Sequence, residues 1–165
     1  MAHRWVAVSG GFDCLHVGHL SYFEEARKLG DRLFVILNTD DWLMKKKGYV
    51  FMPYEERAEL IQALECVSLV EPQIDDDMTV VRSLELYKPA IFAKGGDRVE
   101  TNTPEFETCK ELGIEVVFGV GGTKELSSST LLEDVAEKIQ KIKDDKCAAD
   151  SYKKYIQKIV RDAQK

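Results

Sequence analysis

The sequence predicts an α/β fold: a doubly wound parallel sheet of about five strands with helices on both faces, as a single domain with a C-terminal helical extension. Three observations predict it. Short apolar, β-prone runs alternate with segments whose apolar residues recur at helical spacing. Turn residues separate them, as at Gly30-Asp31 and Gly95-Gly96-Asp97. Every segment with chemical character follows a predicted strand, and parallel sheets bind ligands at the carboxyl ends of their strands.

Taken in order, Trp5-Val6-Ala7-Val8 is a short, almost wholly apolar run and reads as a buried strand. Leu20, Phe23, Ala26 and Leu29 then keep helical spacing, and Arg32 to Leu37 is a second strand. Asn38-Thr39-Asp40 caps a short helix ending in Lys45-Lys46-Lys47, where cations suit the negative end of the dipole. Pro53 opens a helix from Tyr54 to Leu64, with Glu55 and Glu56 in its first turn. Val67 to Val70 is a third strand, and Asp75-Asp76-Asp77 leads into a helix through Tyr87. Ala90 to Ala93 is a fourth strand, Pro104 to Leu112 a helix, Glu115 to Phe118 a fifth strand and Ser127 to Ile142 another helix. Beyond the polar Asp144-Asp145-Lys146, residues Tyr152, Tyr155, Ile156, Ile159 and Val160 mark one face of an amphipathic helix.

The 165 residues suffice for one α/β domain with a proper core. With 23 Lys and Arg against 29 Asp and Glu, the net charge of −6 argues against a general nucleic-acid binder. No apolar run is long enough to span a membrane and no signal-peptide pattern follows Met1, so a cytoplasmic protein is expected. The four cysteines, at 14, 66, 109 and 147, form no C-x-x-C pair, and reduced thiols are the default.

The most informative stretch is Gly10-Gly11-Phe12-Asp13-Cys14-Leu15-His16-Val17-Gly18-His19. Gly10 and Gly11 let the backbone bend sharply and approach a ligand closely. The helix that follows aims free N–H groups and its positive dipole end at the same spot, so an anion is expected there. His16 and His19, three apart on the first turn, share a face. Imidazoles suit a pentacoordinate phosphorus that gains negative charge on its equatorial oxygens. Zinc is disfavoured, because no third ligand is nearby and H-x-x-H lacks the glutamate and spacing of the common zinc signatures.

This segment resembles the G-x-F-D-x-x-H-x-G-H signature of the small nucleotidyltransferases, the cytidylyltransferase-like superfamily. The resemblance covers residues 4 to about 142 in four separated motifs, and it implies a Rossmann-like domain over 1–143 with 144–165 as a helix packing on the core or a second subunit. Lys45-Lys46-Lys47-Gly48 matches the family's lysine motif, with Lys47 the best fit and Lys45 next; an exposed basic helix end is the plain alternative. Glu56-Arg57 matches a motif the family ties to helix packing and subunit contact, and a surface salt bridge explains it equally well. Lys94-Gly95-Gly96-Asp97-Arg98 is closer to the domain that adenylylates heptose 1-phosphate than to the glycerol-phosphate enzymes. Leu126-Ser127-Ser128-Ser129-Thr130 matches the closing serine motif, but Gly122-Thr123-Lys124-Glu125 stands where many cytidylyltransferases carry Arg-Thr-Glu-Gly. The missing arginine tilts the reading from CTP toward ATP.

The implied reaction is attack of a phosphate monoester on the α-phosphorus of an NTP, with pyrophosphate leaving. Such a monoester is already ionised near neutral pH, its second pKa being about 6, so no general base is required. The resemblance assigns His16, His19 and Lys47 to catalysis, and Lys45, Lys47 and Asp13 to the acceptor. It assigns Gly10, Gly11, Phe12, Gly96, Asp97, Arg98, Ser127, Ser128 and Ser129 to the nucleotide. Mg²⁺ is expected on the triphosphate, since it binds through few carboxylates plus phosphates. A sugar 1-phosphate is the favoured acceptor, with phosphorylated alcohols such as glycerol 3-phosphate as the alternative. No nucleic acid or membrane partner is expected, and the resemblance implies a homodimer. Trp42 lines the second-substrate pocket or belongs to an amphipathic helix face. A non-catalytic nucleotide sensor is the rival from another class, and the completeness of the motif set counts against it.

Overall fold

The computed structural model describes residues 3–96, 104–122, 128–144 and 146–163. Five parallel strands form one sheet in the order β3-β2-β1-β4-β5. They are β1 (Trp5–Gly10), β2 (Arg32–Leu37), β3 (Leu69–Pro72), β4 (Ile91–Gly95) and β5 (Glu115–Val120). The helices are α1 (Val17–Arg27), α2 (Asp40–Lys47), α3 (Tyr54–Gln62), α4 (Val81–Tyr87), α5 (Phe106–Leu112), α6 (Ser128–Asp144) and α7 (Lys146–Ala163). The chain divides into two compact units, Met1–Glu125 with the sheet and α1 to α5, and Leu126–Lys165 with α6 packed on α7. This is the doubly wound α/β, Rossmann-like architecture that the alternating pattern predicts.

Successive side chains of a strand point to opposite faces, and here both faces are covered. Val6, Val8, Leu33, Val35, Leu37, Ile91 and Ala93 share one core with Phe23 and Ala26 of α1 and Ile61 of α3. Ala7, Phe34, Ile36 and Phe92 share the other with Leu84 of α4 and Cys109 of α5. Burial pushes the Cys109 thiol up to about 11, aided by the carboxylate of Glu105, so it stays protonated as a core residue. The chain winds outward from β1 through β2 to β3, then returns to place β4 on the other side of β1. The carboxyl ends of β1 and β4 therefore flank the point where strand order reverses, where open sheets of this kind form a ligand crevice.

Strand ends differ from the periodicity in a consistent way. β1, β4 and β5 each run on past the apolar stretch, with Gly10 opposite Leu37 and Gly95 opposite Val120. Backbone pairing needs no apolar side chain, so pattern alone stops too early. β3 occupies Leu69–Pro72, not 67–70, because its ladder sets Leu69 opposite Phe34. The acidic run at 75–77 lies outside α4, which starts at Val81. Asp75 instead accepts from the N–H groups of Arg82 at 2.6 Å and Ser83 at 3.1 Å, satisfying two first-turn donors from a distance.

Just past β5, Gly121 has φ 84°, and a Cβ there would stand 2.8 Å from the Cα of Tyr22 in α1. Gly113 has φ 69° with open space around it. Gly121→Ala is expected to lower unfolding free energy by about 3 kcal/mol, adding a backbone clash to left-handed strain. Gly113→Ala should cost only about 1 kcal/mol, from strain alone. Urea unfolding of both variants checks the difference.

Candidate active site

The loop after β1 turns by a route the glycines did not indicate. Neither Gly10 nor Gly11 has a positive φ; the left-handed residue is Phe12, at φ 48°. That conformation costs a non-glycine residue about 1–2 kcal/mol. Burial of the Phe12 ring offsets it, by about 1.5–3 kcal/mol for a large apolar side chain. The ring meets His19 edge-on at 5.0 Å and Phe23 at 4.8 Å. Phe12 thus reaches a ligand only through its backbone. What the glycines supply is room: a Cβ on Gly11 would stand 2.6 Å from Cδ2 of Leu43.

His16 is the N-cap of α1, with extended backbone, and its Nδ1 accepts the N–H of Gly18 at 3.1 Å. A neutral imidazole that accepts at Nδ1 carries its proton on Nε2. The His16 and His19 rings stack with centroids 3.7 Å apart and planes 24° from parallel. Two half-buried imidazoles are therefore fixed together on the positive end of a helix dipole.

Asp13 is fully buried, and its two carboxylate oxygens accept the N–H groups of Phe51 at 2.9 Å and Met52 at 2.8 Å. Its carbonyl accepts from Nζ of Lys47 at 3.0 Å. One residue thus joins the histidine loop to the lysine motif and to the loop after it. Gly48 ends α2 with φ 80°, the left-handed C-cap that lets the chain turn back toward Asp13.

Arg57 is the residue that sequence reasoning undervalued. Its side chain has no exposed surface, although a surface salt bridge seemed as good a reading. Nε donates to the carbonyl of Met52 at 2.9 Å. Nη1 donates to the carbonyls of Gly11 at 2.7 Å and Asn38 at 2.9 Å, and Nη2 to the Asp40 carboxylate at 2.5 Å. These acceptors lie after β1, after β2, at the start of α2 and before α3. Asn38, also buried, donates to Oε1 of Gln73 at 2.7 Å and so carries the network to the end of β3.

The remaining predicted residues are distributed as follows. Lys45, with Thr39, Trp42 and Gln73, lines a cavity of about 310 Å³ that also meets Asp75 to Asp77. Nε1 of Trp42 is buried and has no hydrogen-bond partner among the described residues. Thr79 donates to Asp77 from its hydroxyl and its backbone, which holds that carboxyl below its usual range. Gly96 forms an exposed turn after β4, and Asp97, Arg98 and Ser127 lie outside the described residues. Ser128 and Ser129 open α6, in the second unit. Tyr22 links α1 to the carboxyl end of β4, its hydroxyl donating to the carbonyl of Ala93 at 2.6 Å. Nothing in the spacing marked Tyr22, and Asn38 entered only as part of a helix cap that Thr39 supplies, because their roles are set by what lies across the sheet.

Replacing Arg57 leaves three buried carbonyls and one carboxylate without their donor. Arg57→Met is expected to cost about 3 kcal/mol, the low end of the range for breaking a buried ion pair, because the Asp40 carboxylate left behind is 39% exposed. Arg57→Lys should recover only part, since an ammonium lacks the planar fork. Chemical denaturation of the two variants checks this.

The family model described as cytidylyltransferase-like matches residues 7–133. Among curated relatives, the bifunctional protein HldE of Geotalea uraniireducens is 38% identical over 142 residues, covering 85% of this chain and 27% of the relative. HldE of Hahella chejuensis is 37% identical over 143 residues, 82% and 28% of the two chains. The chain thus spans little more than a quarter of the length of these relatives. A lipopolysaccharide core biosynthesis protein from Thermoplasma volcanium superposes with a TM-score of 0.59 at 30% identity, over 72% of this chain and 95% of that one. A protein from Archaeoglobus fulgidus shares the fold, with a TM-score of 0.57 at 20% identity over 74% and 93%. With the matched region spanning β1 to α6 and holding the paired histidines and Lys47, the chain belongs to the cytidylyltransferase-like family.

Proposed function

We propose that this chain is a nucleotidyltransferase that joins the nucleoside monophosphate of an NTP, ATP in preference to CTP, to a sugar 1-phosphate and releases pyrophosphate. The observation that carries the reading is the stacked His16–His19 pair at the start of α1, with Lys47 drawn onto the same loop through the Asp13 carbonyl. A phosphate monoester oxygen attacks the α-phosphorus, its new P–O bond forming as the bond to the β-phosphate oxygen breaks. The histidines donate to oxygens that gain charge as the reaction proceeds, and a preorganised donor of this kind is worth about 10²–10³ in rate. Lys47 and Lys45 hold the anionic end of the acceptor, and the cavity beside Lys45 takes its body.

ATP is favoured because the arginine of the CTP-type closing motif is replaced at 122–125 by Gly-Thr-Lys-Glu. A sugar 1-phosphate is favoured by Lys94-Gly95-Gly96-Asp97 and by the neighbour named for lipopolysaccharide core biosynthesis, a carbohydrate product. Mg²⁺ belongs to the reading as a counter-ion carried on the triphosphate, where it neutralises charge on the leaving pyrophosphate. No three His, Cys, Asp or Glu side chains cluster as a metal cage among the described residues, and an ion arriving on phosphates needs none.

Pyrophosphate release is the assay, with ATP and CTP tried separately against phosphorylated sugars and alcohols. Release is expected with ATP and a heptose-type 1-phosphate. His16→Ala should lower kcat by about 10²–10³-fold with the fold intact by circular dichroism. Chelation with EDTA should stop turnover, and added Mg²⁺ should restore it. Release only with CTP and a phosphorylated alcohol would keep the chemistry and overturn the substrates. NTP binding without turnover across the panel would overturn the enzyme.

A further inference from the structure

Lys94 stands one residue before the two glycines of its motif, at the carboxyl edge of the sheet where an ammonium would ordinarily be read as a phosphate ligand. Its side chain is turned inward. It is 11% exposed, with Nζ 4.6 Å from the Phe92 ring centroid and 3.6 Å from Oε2 of Glu105. Glu105 is 7% exposed at the side chain, and its other carboxylate oxygen accepts the N–H of Val80 at 3.2 Å. Val80 precedes α4, Glu105 precedes α5 and Lys94 lies in β4. One carboxylate therefore ties the starts of two helices to the end of a strand.

Burying such a pair costs desolvation of both charges, and replacing both by apolar groups is often neutral in stability. Geometry is what the pair fixes. Lys94 and Glu105 flank the segment that carries Gly95, Gly96, Asp97 and Arg98, so their contact sets the spacing of its two anchors. Tyr22 braces the same strand end through the Ala93 carbonyl.

We infer that Glu105 is a positioning residue for the nucleoside: acting through Lys94, it sets the Gly95–Gly96 turn and so governs NTP affinity, not the chemical step. The inference rests on the reading of residues 95–98 as the nucleoside frame. Glu105→Gln keeps the size of the side chain and an oxygen for Val80, and removes the charge that holds Lys94. Calorimetry is expected to show ATP affinity about tenfold weaker, with KM for ATP rising in parallel and kcat and acceptor KM within about twofold. Inorganic tripolyphosphate, which has no nucleoside, should bind as it does to the unaltered protein. The double variant Lys94→Met with Glu105→Gln removes both charges and keeps an oxygen for the Val80 N–H, so it should keep its melting temperature and show the same loss of ATP affinity. It isolates positioning from stability where Glu105→Gln unfolds. A folded variant that binds ATP as tightly as the unaltered protein overturns the inference, and so does an equal loss for tripolyphosphate. Asp97→Ala, measured alongside, separates the two readings. If it weakens ATP while Glu105→Gln does not, the positioning role alone falls; if neither matters, the nucleoside reading falls with it.

Discussion

A single buried guanidinium holds the site together. The loops that leave β1, β2 and α2 have carbonyls that turn inward to the buried or half-buried space around Arg57. Arg57 gathers Gly11, Asn38, Met52 and Asp40 around one planar fork. Its charge meets a carboxylate on one side and carbonyl dipoles on the others, which offsets the several kcal/mol needed to take it out of water. Lysine could not do this, since the task requires donors in fixed directions toward separate acceptors.

Asp13 complements it with the opposite chemistry. Where Arg57 collects carbonyls, Asp13 collects N–H groups, those of Phe51 and Met52, and offers its own carbonyl to Lys47. The histidine loop is thus held from both directions, by a buried cation behind Gly11 and a buried carboxylate behind the following loop. The half-buried edge of this construction carries the two imidazoles and the lysine. The arrangement places donors before any substrate arrives, which is what stabilising a developing charge demands.

The sheet and its helices were legible in the sequence because apolar periodicity reports burial directly. Strand ends were not, since the ladder at Gly10 and Gly95 depends on backbone pairing that side chains do not encode. The α4 boundary was misjudged for a related reason. Three aspartates were read as leading straight into a helix, whereas α4 starts only at Val81 and Asp75 reaches its donors from a loop ahead of it. At the site, His16, His19 and Lys47 could be singled out because unusual residues stood at fixed spacing after a strand. Arg57 was noticed as part of a motif but read equally well as a surface salt bridge, and Glu105 was not marked at all, because a charged residue near a helix start reads as solvent-facing until the opposing loops are known. Phe12 shows the same limit in reverse: the glycines advertised a turn, and their bulky neighbour makes it.

The cap on α1 also sets a competition within one imidazole ring. The nitrogen of His16 that receives the Gly18 N–H has to keep its lone pair, so a proton taken there would remove the side-chain cap and leave the backbone bonds from His19 and Leu20 to the His16 carbonyl. Charging the ring and capping the helix are thus alternatives drawn on the same atom. The other nitrogen then carries the N–H of a neutral ring, and its direction is fixed by secondary structure. The chain has thus tied the tautomer of one side chain to the capping of its own first helix.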